Sequence, residues 1–170
     1  DTFSLQSSNE TCRSSNDGKM KLDVKRDVLP SDTDIKFTVA VTGGPSGFTH
    51  TPELIEADSW TLTSLEASTY TVCVTSDFIA DYKQCFNVII SEPQDLAVLT
   101  SQARGSNILN MTMSGSKSYT IMHNNKPIKT SESKFDLDLK KGLNIIKVYA
   151  EKECQGAVSY THLTLPTSYP

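Results

Sequence analysis

The sequence predicts an all-β protein built as two tandem β-sandwiches, and three observations carry that prediction. Short runs with an apolar residue at every second position recur along the whole chain, as half-buried strands require. Gly, Asn, Asp, Ser and Pro gather between those runs, where turns need a positive or preset φ. Only Pro52–Asp58, reading PELIEAD, has the composition for a helical turn, so an α/β arrangement is not expected.

Taken in chain order, the expected strands begin with MKLDV from Met20 and IKFTVAV from Ile35. SWTLTSL, TYTVCVT and CFNVII follow, and then DLAVLT, NILNMTM, SYTIMH, FDLDL and LNIIKVYA. VTGGPSG, HNNKP and LKKGLN supply turn chemistry between them. A polar break at Ser91–Gln94 separates two strand series, and Pro93 within it cannot donate a ladder hydrogen bond. The expected organisation is a linker over 1–8, one module over 9–93 and a second over 94–157. Each module has about the size of an immunoglobulin-like or fibronectin III-like sandwich.

The tail breaks this pattern. Val158–Thr167, VSYTHLTLPT, resembles a translated sequencing-library adapter over ten consecutive residues. Residues 158–170 are therefore read as adapter-derived, with a Thr-rich final strand holding Tyr160, His162 and Leu165 as the competing reading. The first residues, DTFSLQSSNE, carry no basic and apolar leader pattern and no initiator Met, so the chain is read as a fragment.

Composition narrows the function classes. Sixteen Lys+Arg stand against 20 Asp+Glu, a formal charge of −4, which argues against nucleic-acid binding and a polybasic membrane surface. No apolar run approaches the ~20 residues that cross a bilayer, so no membrane insertion is expected. Ser and Thr number 40 of 170 residues, which makes the chain polar with only small cores. Small cores often need a covalent staple.

Four cysteines, Cys12, Cys73, Cys85 and Cys154, allow three complete pairings. Strand parity favours Cys73 with Cys85. In TYTVCVT, Tyr70, Val72 and Val74 share one face and Cys73 lies on the other. In CFNVII, Phe86, Val88 and Ile90 share a face opposite Cys85. One antiparallel register therefore sets Val72 against Phe86, Tyr70 against Val88, and the two cysteines against each other on the outer face. Cys12 and Cys154 each stand at a module edge before a turn. They read either as corresponding positions in successive modules or as a bridge between them. Disulfide use points to an oxidising compartment.

Catalytic constellations are not expected. No two Cys or His have zinc-ligand spacing, and His50 and His123 read as solvent-facing turn residues. No G-x-S-x-G occurs, and Gly43–Gly47 lacks the Lys of a phosphate loop. Asp136 and Asp138 alternate with Phe135, Leu137 and Leu139, which is ordinary solvent-facing alternation. No cofactor and no metal are implied. The one candidate binding feature is the hairpin loop Ser76–Lys83, which places Phe78, Ile79 and Tyr82 between stapled strands. Rigid apolar tips can anchor a surface glycan or a protein; the competing reading folds these side chains back over the end of the sandwich. Trp60 reads as core before it reads as a sugar platform. Asn9 and Asn110 sit in N-x-T sequons, relevant only in a eukaryotic secretory route.

Several segments together resemble a family. Cys12-Arg-Ser-Ser-Asn-Asp-Gly-Lys, SLEASTYTVCVT and QCFNVIISEPQDL look like the SprB-repeat modules of Bacteroidota surface proteins. Leu65, Tyr70, Val72, Cys85, Ile90 and Pro93 fill the places of that repeat's Leu-x-x-x-x-Tyr-x-Val strand, Cys and Ile-x-x-Pro exit. The chain departs from it at Ala67–Ser68, where Gly is common, and in lacking Pro-Tyr after Gly43–Gly44. GLNIIKVYAEKECQG looks like the β-module that precedes a type IX secretion sorting domain. The resemblance implies export to the bacterial cell surface, neighbouring modules of the same chain as partners, and cell adhesion, spacing or display without catalysis. An ancillary linker or glycan-binding module of a secreted hydrolase is the alternative.

Overall fold

A computed structural model describes residues 1–30 and 34–164. The chain divides into two compact units, Asp1–Glu92 and one beginning at Pro93. The first holds β1 (Phe3–Ser8), β2 (Gly18–Val24), β3 (Phe37–Gly43), β4 (Glu53–Leu54), β5 (Ser59–Leu65), β6 (Ser68–Ser76) and β7 (Lys83–Ile90). They form a three-stranded sheet, β1-β2-β5, and a four-stranded sheet, β4-β3-β6-β7.

Alternation builds the core between these sheets. Met20, Leu22 and Val24 of β2 are buried, while Lys19 and Lys21, which alternate with them, are exposed. Phe37, Val39 and Val41 of β3 and Tyr70, Val72 and Val74 of β6 complete the filling from the opposite sheet. Strand β5 would lose its phase at Ser64, but a bulge there, with φ 60° at Ser64, turns Leu65 inward instead. Its partner Gly18 must be glycine. A Cβ at that point would stand 2.8 Å from the Leu65 carbonyl oxygen and 2.6 Å from Ile90 Cγ2.

The second unit repeats the plan. Its strands are β8 (Ala97–Ser101), β9 (Ile108–Ser114), β10 (Tyr119–His123), β11 (Lys126–Thr130), β12 (Lys134–Asp138), β13 (Gly142–Ala150) and β14 (Ala157–Thr164). The sheets are β12-β9-β8 and β11-β10-β13-β14. Each strand thus takes the place of the one seven earlier, so both units are fibronectin III-like sandwiches in one antiparallel topology. Leu109, Met111, Tyr119, Ile121, Ile146 and Val148 form the second core.

Four strands lie outside the sequence expectation. Residues 1–8 are not a linker: Phe3 is buried and β1 pairs with β2 from Phe3 to Ser8. Two apolar residues, Phe3 and Leu5, suffice because the ring of Phe3 meets Phe37 edge-on at 5.0 Å. PELIEAD makes no helical turn. Glu53 and Leu54 pair with β3, Ile55 is buried, and the positive φ of Ala57 and Asp58 closes a turn. KPIKT was masked by its proline, which an edge strand tolerates. Asn124 and Asn125, both at positive φ, make the two-residue turn that leads into it. Finally, the second sandwich does not end at Ala157. Residues 157–164 pair with β13 over eight positions, and Tyr160 packs on the core and donates to the Val98 carbonyl at 2.8 Å. Strand-forming Val, Tyr and Thr fit this slot on their chemistry alone. Leu165 lies outside the described residues.

Candidate functional site

The hairpin β6–β7 carries the residues singled out in the sequence. Its register sets Tyr70 opposite Val88 and Val72 opposite Phe86, and it brings Cys73 opposite Cys85. These two are joined, with S–S 2.08 Å, on the sheet face away from the core. Cys12 and Cys154 are disulfide-bonded as well, and no free cysteine remains.

Beyond the staple, the loop is braced from within. Ser76 Oγ accepts from the backbone N–H groups of Phe78 and Ile79, at 3.1 and 3.4 Å. Tyr82 N–H returns to the Ile79 carbonyl at 3.2 Å, and Asp81 takes the positive φ the turn needs. From below, Asp77 accepts from Lys36 N–H at 3.0 Å and donates its own N–H to the Lys36 carbonyl. The three apolar side chains then part company. Tyr82 folds back, its ring 6.5 Å from that of Phe37 and its hydroxyl on Gln84 Oε1. Phe78 and Ile79 remain 58% and 45% exposed at the tip. The loop therefore presents two apolar side chains, and Tyr82 secures its base.

The remaining aromatic and titratable candidates are spent on structure. Trp60 is core, and its indole N–H donates to Glu53 Oε2 at 2.7 Å. His50 and His123 are not solvent-facing, contrary to the expectation. The His50 side chain is only 6% exposed, lies edge-on to Trp60, and accepts from Val41 N–H through Nδ1. His123 is buried, with Nε2 2.8 Å from Asn144 Oδ1. Asp136 and Asp138 are exposed on alternate positions of β12. Gly43, Gly44 and Gly47 all take positive φ in a wide turn.

Asn144 was missed in the sequence. In the first unit, Tyr70 donates its hydroxyl to the Glu66 carbonyl four residues upstream, the tyrosine corner of such sandwiches. Burial and the nearby Glu66 carboxylate raise its pKa. Asn144 holds the same third position of its strand and also bonds four residues back, donating Nδ2 to the Lys140 carbonyl at 2.8 Å. It adds a bond to the Gly142 carbonyl and accepts from Lys140 N–H. Since Nδ2 serves carbonyls, Oδ1 faces His123, and Nε2 of that ring is the donor. The signal was present: Asn144 shares parity with Ile146 and Val148, so it had to point inward.

One further cluster is local to residues 9–17. Asp17 accepts from the hydroxyls of Ser15 and Thr11 and from Thr11 N–H at 2.9 Å. These bonds, Ser15's first, hold its carboxyl down to about 2 from an ordinary 3.8.

No protein-family profile matches the chain, and no curated protein matches it. Among solved structures, a two-domain fibronectin type III segment from chicken tenascin is similar to it. That segment is 17% identical, covers 95% of this chain and 98% of its own, and superposes with a TM-score of 0.34.

Proposed function

We propose that this chain is a non-catalytic spacing and presenting segment of an exported bacterial surface protein, with the Phe78–Ile79 tip as an adhesive contact. One observation carries the reading: the same seven-strand sandwich is built twice in tandem, with Tyr70 and Asn144 fastening equivalent corners. Tyr70, Asn144 and the Trp60–Glu53 pair all serve the fold. Oxidised cysteines and the resemblance to Bacteroidota surface repeats support the placement outside the cell. A braced tip with two exposed apolar side chains is the form a contact residue takes, since little conformational freedom is lost on binding.

Intact cells of the source organism test this directly. Antiserum against the purified chain should label them without permeabilisation, and protease treatment of the cells should remove the label. Labelling confined to permeabilised cells overturns the export reading. Beads coated with the chain should adhere to the natural surface and lose most adhesion with Phe78→Ser and Ile79→Ser together. Undiminished adhesion removes the tip from the reading.

A further inference from the structure

The outward face of the second unit's four-stranded sheet has a chemistry that neither the fold nor a spacing role requires. Rows across that sheet follow from the pairing. Lys129, Thr120 and Tyr149 lie side by side, and Pro127, Met122 and Lys147 form the next row. Ile145 and Leu143 continue the outward positions of β13, opposite Thr161 and Leu163. Tyr149 is 40% exposed on an inner strand, near the end of β13. No outward position of these four strands carries Asp or Glu, although the whole chain has net charge −4. The carboxylates of β12, Asp136 and Asp138, belong to the other sheet. Within the strands of this unit, carboxylates thus occur only on β12, where they share one face with Lys134.

A hollow of about 390 Å³ adjoins the Tyr149 row. Ser118, Thr120 and Ser131 line it with Lys129, Thr130 turns its hydroxyl to the Glu132 N–H, and Glu151 is among its walls. Hydroxyls that both donate and accept suit a ligand that is itself a polyol. A carboxylate there accepts from such a ligand's hydroxyls.

We propose that this face is a binding site for an acidic polysaccharide. A sugar ring rests its C–H face on Tyr149, neighbouring hydroxyls enter the Ser/Thr hollow, and anionic groups along the polymer meet Lys129 and Lys147. Charge complementarity selects this occupant. Lys129 and Lys147 on strands that carry no carboxylate outweigh the one carboxylate at the rim, Glu151, and so favour an anionic partner over a cationic one. The site goes beyond the spacing role proposed above, which needs no ligand, and it is separate from the Phe78–Ile79 tip.

Affinity electrophoresis of the full chain in polygalacturonate, with neutral dextran as the uncharged control, tests it. The chain should be retarded by polygalacturonate and not by dextran. Tyr149→Ala, and Lys129→Ser with Lys147→Ser, should each weaken retardation roughly tenfold, with unchanged far-ultraviolet dichroism. Phe78→Ser with Ile79→Ser should leave it intact. Retardation lost in the lysine variant but unchanged in Tyr149→Ala is plain ion exchange and overturns the site. Equal retardation in dextran overturns the acidic class, and no retardation in polygalacturonate overturns the proposal. Sedimentation velocity gives the last arm: a dimer dissociated by Tyr149→Ala, with no polysaccharide effect, makes the face a self-contact and overturns the proposal.

Discussion

Strands β6 and β13 occupy the same place in their sandwiches, yet only one parity of their residues is alike. Inward, Tyr70, Val72 and Val74 correspond to Asn144, Ile146 and Val148, and all six are buried. Outward, Thr69, Thr71, Cys73 and Thr75 correspond to Leu143, Ile145, Lys147 and Tyr149. The first face is hydroxylic and stapled to β7; the second is apolar, aromatic and cationic. The fold thus constrains one face of a strand and leaves the other to chemistry, because successive side chains point to opposite sides. Even the corner tolerates exchange. A phenol and an amide both reach the carbonyl four residues upstream, the first through a long ring and the second through its closeness to the backbone.

The largest break in this correspondence comes from removing β14. A chain ending at Ala157 leaves the second sandwich with six strands, an unpaired β13 edge and no Tyr160 over Val98. Thermal unfolding should then show the second unit's transition lower by roughly 15 °C or absent, with the first unchanged. An unchanged transition would mean that residues 158–164 add nothing to the sandwich.

Next comes the corner itself. Asn144→Ala strands a buried imidazole N–H and the Lys140 N–H, leaves the Lys140 and Gly142 carbonyls to the Thr164 hydroxyl alone, and should cost about 3 kcal/mol. Tyr70→Phe deletes one hydrogen bond and should cost about 1 kcal/mol. Equal losses in chemical denaturation would show that the two corners are not the different devices described here. The staple matches the larger of the two. Cys73→Ser with Cys85→Ser opens a 13-residue loop and should cost about 3 kcal/mol, at the first unit only.

The smallest effect concerns residues 9–17, a hydrogen-bonded loop in the first unit. The folded pKa of Asp17 lies near 2, below its ordinary 3.8, so its contribution is complete above about pH 4. It is lost as pH falls through 2. Amide exchange at Thr11 and Ser15 should accelerate over that range while β2 stays protected. Acceleration already at pH 5 would place the loosening in another group.

How much of this was legible in the sequence depends on where the deciding contact lies. The β6–β7 register follows from the sequence because both strands alternate without interruption, so one alignment satisfies every core residue. Strands β1 and β4 are recognised only through Phe37 and its neighbours, which bury Phe3 and Ile55 from far along the chain. Strand β11 was hidden by Pro127, whose meaning reverses between an edge and a central position. The two histidines were misread because their burial depends on distant partners: Asn144 lies 21 residues beyond His123, and Trp60 closes over His50. Within the loop, Tyr82 differs from Phe78 and Ile79 only by facing Phe37, and local sequence does not say which of three apolar residues will find a partner.

The parity of β6 and β13 also bears on how such a chain diversifies. If a module is copied by gene duplication, mutations at the inward positions are policed by folding in every copy. Mutations at the outward positions of the central strands are not. An array of such modules can therefore accumulate unlike surfaces at a constant rate of structural failure, and its copies become a bank of independent trials rather than redundant spares.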